Sequence, residues 1–242
     1  MTTVLKLGGS VVTVKDETET VADANLARAA DAIAGHDDLV LVHGGGSFGH
    51  PNASAHGVST TTGTHDAAAA RAIHDAMKGL NAAILDALHD RDVPALAVHP
   101  FSAAHRDADG DLHLPTGQVR TMLGEGFVPV LHGDLVAHAG QGVTVASGDE
   151  LVASLAVGLD ASRVGLCSAV PGVLDDRGEV IPHVESFEAV AAVVGESDAT
   201  DVTGGMAGKV RQLLALDAPA SIFDLDGVGP FLDGGTPGTL VD

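Results

Sequence analysis

Apolar positions along this chain fall into two kinds of run. Short, nearly continuous ones lie at Val4 to Leu7, Leu39 to His43, Pro94 to Val98, Val128 to Leu131, Arg163 to Cys167 and Ala220 to Asp224. Their length and apolar density predict strands buried on both faces. Between them, apolar residues recur at helical spacing from Asp23 to Gly35, Asp66 to Asp90, Val119 to Glu125, Asp149 to Gly158 and Ser186 to Val194, and from the turn at Gly204 to Lys209 on to about Leu216. In the longest stretch Ile73, Met77, Leu80, Ile84 and Leu88 share one face. Asp109-Gly110 reads as a hairpin turn. Strands alternating with helices predict an α/β fold, a three-layer αβα sandwich around an open, mainly parallel sheet. Residues 1–242 are expected to form a single domain, with a boundary between two lobes near Ala146.

Composition narrows the setting. No apolar run approaches the roughly 18 residues that a membrane helix needs, and Met1 to Lys6 runs straight into the first strand, so a cytoplasmic location is expected. Cys167 is the only cysteine, which excludes an intrachain disulfide and a cysteine-rich metal site. The 33 acids against 12 bases give a net charge of −21, a surface that repels nucleic acid and anionic membranes. Short, hydrated carboxylates in such excess are expected of a protein working in concentrated salt, where screening makes self-repulsion cheap. Against that background the four lysines stand out: Lys6, Lys15 and Lys209 lie at or beside glycine-rich turns, and only Lys78 reads as a helix-surface cation.

Three such turns follow strands or open helices: Gly8 to Ser10 after Lys6, Gly44 to Gly49 before His50, and Gly204 to Gly208 before Lys209. Glycine there lets the backbone approach a phosphate and aims amide N–H groups and the positive helix end at it. Singly, each is an ordinary connection; together, flanked by scarce cations, they point to a phosphate-bearing ligand. Gly44 to Gly49 formally matches a dinucleotide fingerprint, but that motif needs a second strand ending in an acid about 20 residues on, and Asp66 follows a polar loop instead. The lysine turn is one residue short of a P-loop, and Val210 stands where Ser or Thr is required.

Leu5-Lys6-Leu7-Gly8-Gly9-Ser10, His43-Gly44-Gly45-Gly46-Ser47-Phe48-Gly49-His50, Ser147-Gly148-Asp149-Glu150 and Val202 to Lys209 resemble, in order and spacing, the amino-acid-kinase family across nearly the whole chain. The Ser-Phe-Gly-His ending of the second loop is similar to that of isopentenyl phosphate kinases and of fosfomycin-resistance kinases, with His50 as the discriminating residue. The resemblance implies transfer of a phosphoryl group from ATP with Mg2+ to isopentenyl phosphate, a small-molecule substrate, in a homodimer whose residues 1–146 hold the acceptor phosphate and 147–242 the nucleotide. It implies that Lys6 lies between the two phosphates, Lys209 holds the nucleotide phosphates and Lys15 supports the γ-phosphate. Gly8, Gly9, Ser10, Gly46 and Gly205 are then expected to offer amides to ATP. Gly45, Gly133 and His50 would face the acceptor, and Asp149 would orient the two lysines.

Simpler roles compete with these. Asp149 could be only a helix N-cap, His50 only structural, and Lys15 only a loop cation. Met77, Leu80 and Ile84 could line a pocket for an apolar acceptor tail or be plain core. Where many family members carry an Asp-Val-Asp-Gly-like segment, this chain has Ser168-Ala169-Val170-Pro171-Gly172-Val173, so no acid is expected to hold the nucleotide there. A kinase for fosfomycin or another small phosphate, and a non-catalytic nucleotide-binding protein, remain the alternatives.

Overall fold

The computed structural model describes residues 1–194 and 205–242. β1 (Thr3–Leu7) leads into the one-turn helix α1 (Gly9–Val12) and then α2 (Asp23–Ile33); β2 (Leu39–His43) leads into α3 (Gly46–Ala55) and the long α4 (Ala67–His89). Next come β3 (Ala95–Ala97), α5 (Pro100–Ala103), β4 (His105–Arg106), β5 (Leu112–His113), α6 (Gly117–Gly124) and β6 (Val128–His132). After β7 (Asp134–His138) and β8 (Gly142–Ala146) the chain runs through α7 (Gly148–Leu159), β9 (Arg163–Cys167) and β10 (His183–Val184) to a 3-10 turn and the one-turn α8 (Ala191–Val194). α9 (Gly205–Leu213), β11 (Ala220–Phe223), a second 3-10 turn, α10 (Val228–Leu232) and β12 (Thr239–Val241) complete it.

Eight strands form the central sheet in the order β10-β12-β11-β9-β1-β2-β6-β3. Every pairing is parallel except that of β11 with β12. The period of two along the inner strands sorts their side chains into two cores. Val4, Val40 and Val42 pack with Leu151 and Leu155 of α7, while Leu5, Leu7, Leu39 and Leu41 pack with Leu26 of α2 and with Leu80, Ile84 and Leu88 of α4. This is the expected sandwich, and it puts Lys6 on the α7 face. The neighbours of β1 come from opposite ends of the sequence, β2 on one side and β9 on the other. The sheet therefore has its topological switch point beside the C-terminal end of β1, where open α/β sheets bind ligands.

The observed elements differ from the expected ones in several places. Ser186 to Val194 is not one helix but a 3-10 turn at Phe187–Ala189 and then α8, because the backbone leaves helical geometry at the buried Val190. The helix opening at the third glycine turn stops at Leu213 rather than at about Leu216. Residues 134–146 form the β7–β8 hairpin of a separate four-stranded sheet, β5-β4-β7-β8, which the apolar runs did not announce. Thr239–Val241 adds a strand antiparallel to β11 that the apolar runs did not announce. Val202, Thr203 and Gly204 of the third glycine turn lie outside the described residues.

Candidate active site

A cleft of about 680 Å³ opens at the C-terminal ends of β1, β2, β6 and β9, and it gathers most of the residues expected there: Lys6, Gly8, Gly9, Ser10, Lys15, Gly45, Gly46, His50, Gly133 and Lys209. They arrive from four separate stretches of sequence.

Lys6, on the last turn of strand before the first glycine loop, is 7% exposed. Its Nζ donates to Asp149 Oδ1 at 2.5 Å. Asp149 does not line the cleft; it lies behind Lys6 in the first turn of α7. It is not the N-cap, because Ser147 takes that position in a complete capping box with Glu150. With the cap supplied elsewhere, the buried Asp149 carboxylate is left to the lysine. Lys209 reaches the cleft from α9, where its Nζ donates to Gly205 O at 3.4 Å rather than to Asp149. Gly205 opens α9 at φ +57° without lining the cleft. Lys15 and His50 are exposed at the rim.

The first two glycine loops pack backbone to backbone. A Cβ on Gly9 would sit 2.3 Å from Gly46 N, and one on Gly46, already at φ +48°, would sit 2.1 Å from Thr13 Oγ1. Thr13 locks the pair, its hydroxyl donating to Gly9 O at 2.8 Å and accepting from Ser47 N at 3.0 Å. Glycine is thus required here by close approach of the chain to itself as well as by any ligand. Among the described residues the amides of Gly9, Ser10, Gly45 and Gly46 make no hydrogen bond, which leaves a cluster of N–H donors at the starts of α1 and α3. One expected donor is already used, since Gly8 N–H donates to Cys167 O at 2.8 Å, and Gly133 N–H is likewise taken, by His43 O at 2.9 Å. Those glycines can offer a close surface but no N–H.

Beyond the phosphate-sized end, the wall becomes apolar with Ala53, Val58, Ile73, Met77 and Val145. Of the three residues considered for a tail pocket only Met77 lines it; Leu80 and Ile84 are turned into the core at 0% and 1% exposure. Sequence reasoning missed Ile73, which lies one helical turn before Met77, and it missed Asp134. The Asp134 carboxylate is buried in the wall, accepting from Leu135 N at 2.8 Å and pairing with His74 Nδ1 at 2.8 Å. Burial raises its pKa, against the opposing pull of His74. Burial also depresses two neighbouring histidines, His43 to about 4 and His132 well below the usual range, so both rings are neutral. It pushes the Cys167 thiol up to about 12, which leaves that sulfur unreactive behind Gly8.

Residues 1–216 match the model of the amino acid kinase family. The chain belongs to the amino acid kinase family. Within it, an isopentenyl phosphate kinase of Haloferax volcanii is 62% identical over 98% of this chain and 97% of its own length. One from Methanothermobacter thermautotrophicus is 34% identical over 88% of this chain and 86% of its own. A solved isopentenyl phosphate kinase structure superposes over 100% of both chains with a TM-score of 0.86 at 28% identity. The salt-adapted composition fits the Haloferax relative. As a member of this family the chain is a kinase, and the cleft has the cations and amides that phosphoryl transfer calls for. Among the described residues no helix is long and apolar enough to cross a membrane.

Proposed function

We propose that this kinase transfers the γ-phosphoryl group of ATP to isopentenyl phosphate, forming isopentenyl diphosphate. The observation that carries the reading is the composite cleft: a buried, carboxylate-oriented Lys6 between two clusters of glycine amides, with His50 at one rim and an apolar wall of Ile73, Met77 and Val145 beyond. A phosphate with a short branched hydrocarbon tail suits that combination of ends.

Both substrates are anions, so the catalytic task is to hold two phosphates together and stabilise charge on the moving group. The amides of Gly9, Ser10 and Gly46 receive nucleotide oxygens, and Lys209 and Lys15 add positive charge. Lys6, fixed by Asp149, stands where the transferred group passes. Gly45 N–H and His50 donate to the acceptor phosphate, which is already ionised at neutral pH and needs no general base. Magnesium neutralises phosphate charge when it is bound. Among the described residues that line the cleft Asp134 is the one carboxylate, and it is engaged by His74 and Leu135 N–H. On this reading residues 1–146 supply the acceptor wall and the amides that meet the nucleotide phosphates, and residues 147–242 bring Lys209 to the nucleotide side. We further propose a cytoplasmic homodimer; Leu96 and Phe127, exposed near the β3 edge of the sheet, offer apolar surface for a second copy.

A coupled ADP-release assay with Mg·ATP in concentrated potassium chloride tests the assignment, with isopentenyl phosphate, dimethylallyl phosphate and fosfomycin as acceptors. Turnover restricted to the two isoprenoid phosphates is expected. Turnover of fosfomycin alone would replace the acceptor, and ATP binding without turnover of any would make this a binding protein.

A further inference from the structure

β2 and β6 are neighbours, and both end in the dipeptide His-Gly: His43-Gly44 and His132-Gly133. The register pairs the two histidines, and their buried rings stack with centroids 5.3 Å apart and planes 27° from parallel. Each ring makes the same local bond. His43 Nδ1–H donates to Gly44 O at 3.2 Å, and His132 Nδ1–H donates to Gly133 O at 3.0 Å. A carbonyl can only accept, so both rings carry their proton on Nδ1 and present a lone pair at Nε2. For His132 that lone pair accepts from His99 Nδ1–H at 2.9 Å. For His43 it faces the side-chain amide of Asn81, with Oδ1 3.1 Å away; the flip-related orientation, NH2 toward the ring, completes the bond.

The consequence lies in the next peptide of each strand. By turning the Gly44 carbonyl back toward the sheet, His43 turns the Gly45 amide outward, and that amide has no acceptor within the described residues. The matching bond from His132 sets the turn from which Gly133 and Asp134 line the cleft. Gly133 N–H to His43 O at 2.9 Å then ties the two turns to each other. We propose that His43 and His132 are paired positioning residues that set the geometry of the acceptor-phosphate cradle without touching substrate. This inference rests on the acceptor assignment above and names the part of the fold that makes it specific.

The test exploits the different reach of two amides. Asparagine can put an N–H where Nδ1 stood, keeping the bond to the glycine carbonyl, whereas glutamine reaches the Nε2 position and loses it. Purified His43→Asn, His43→Gln, His132→Asn and His132→Gln are compared with the unsubstituted enzyme for KM of isopentenyl phosphate, KM of ATP and melting temperature. The Asn variants are expected to stay within about threefold of the unsubstituted acceptor KM. The Gln variants are expected to raise it by about tenfold, the scale of one lost buried hydrogen bond, while the ATP KM holds within about twofold. Equal acceptor KM values for Asn and Gln, or parallel shifts in both KM values tracking the melting temperature, would show that the histidines only support the fold. If the unsubstituted enzyme turns over no isopentenyl phosphate, the acceptor assignment falls and this inference with it.

Discussion

At the scale of single residues, the Lys6–Asp149 pair carries both stability and chemistry, and the two can be separated. Removing either partner takes away the other's buried counter-charge, at a cost of about 3–5 kcal/mol, whereas replacing both by uncharged groups of similar shape is close to neutral. Lys6→Met and Asp149→Asn alone should therefore each lower the denaturation midpoint in chemical unfolding, and Lys6→Met with Asp149→Asn should recover most of the loss. Turnover should not recover: without the cation, ADP release should fall by about 100-fold or more in Lys6→Met and in the double variant alike. A double variant that regained activity along with stability would reduce the pair to a structural role. Lys6 was legible in the sequence because a lysine on a buried strand must have a partner, and scarcity of lysine sharpened the point. Asp134 was not legible, since an acid after a strand-ending glycine is common. Its burial in the cleft wall arises from the β7–β8 hairpin and from His74, 60 positions away in the chain.

At the scale of elements, β1, β2, β6, β9 and β11 were readable to within a residue or so because strands buried on both faces must be apolar throughout. The four-stranded sheet was readable only at its Asp109-Gly110 hairpin turn, because its strands run from two to five residues and mix Thr, His and Asp with apolar positions. Their pairing is set by turns with positive φ, at Gly140 and Gly142 in the β7–β8 hairpin and at Gly110 between β4 and β5. The edge of the main sheet was equally hidden, since β10 has two residues and is held by β12 and by side chains. There His183 Nε2 lies 2.5 Å from Asp242 Oδ1, and that hydrogen bond, with the charges of Asp242 and Glu185, raises the His183 pKa. A raised folded value means that the folded state binds the proton more tightly. The contribution is fully present below the unfolded histidine value of about 6.5 and is lost as pH rises through the folded one. The melting temperature of the unsubstituted chain should exceed that of His183→Gln at pH 5.5, and the difference should vanish by about pH 9. A difference that grows with pH would reverse the assignment. Added salt should shrink it, as the pair is exposed.

At the scale of the whole molecule, the net charge of −21 on 242 residues is the dominant physical fact outside the cleft. The core beneath is ordinary: two apolar layers on either side of one sheet, which owe nothing to salt. What concentrated salt changes is the repulsion among surface carboxylates, few of which have a cation to meet, because 33 acids share 12 lysines and arginines. At 0.1 M the screening length of about 10 Å lets neighbouring carboxylates act on one another, and at 1 M it falls to about 3 Å and isolates them. The folded state, which concentrates the charge, gains more from screening than the expanded chain does. Its melting temperature should therefore climb between 0.1 M and 1 M potassium chloride, by roughly 2–4 °C for each kcal/mol of repulsion removed, and then flatten as screening saturates. Sucrose strengthens apolar burial without screening charge, so it should not reproduce the steep low-salt part of the curve. A melting temperature that is flat from 0.1 M to 1 M, or that sucrose raises with the same profile, would mean that the acidic surface serves solubility alone and that the stability of this kinase resides in its core.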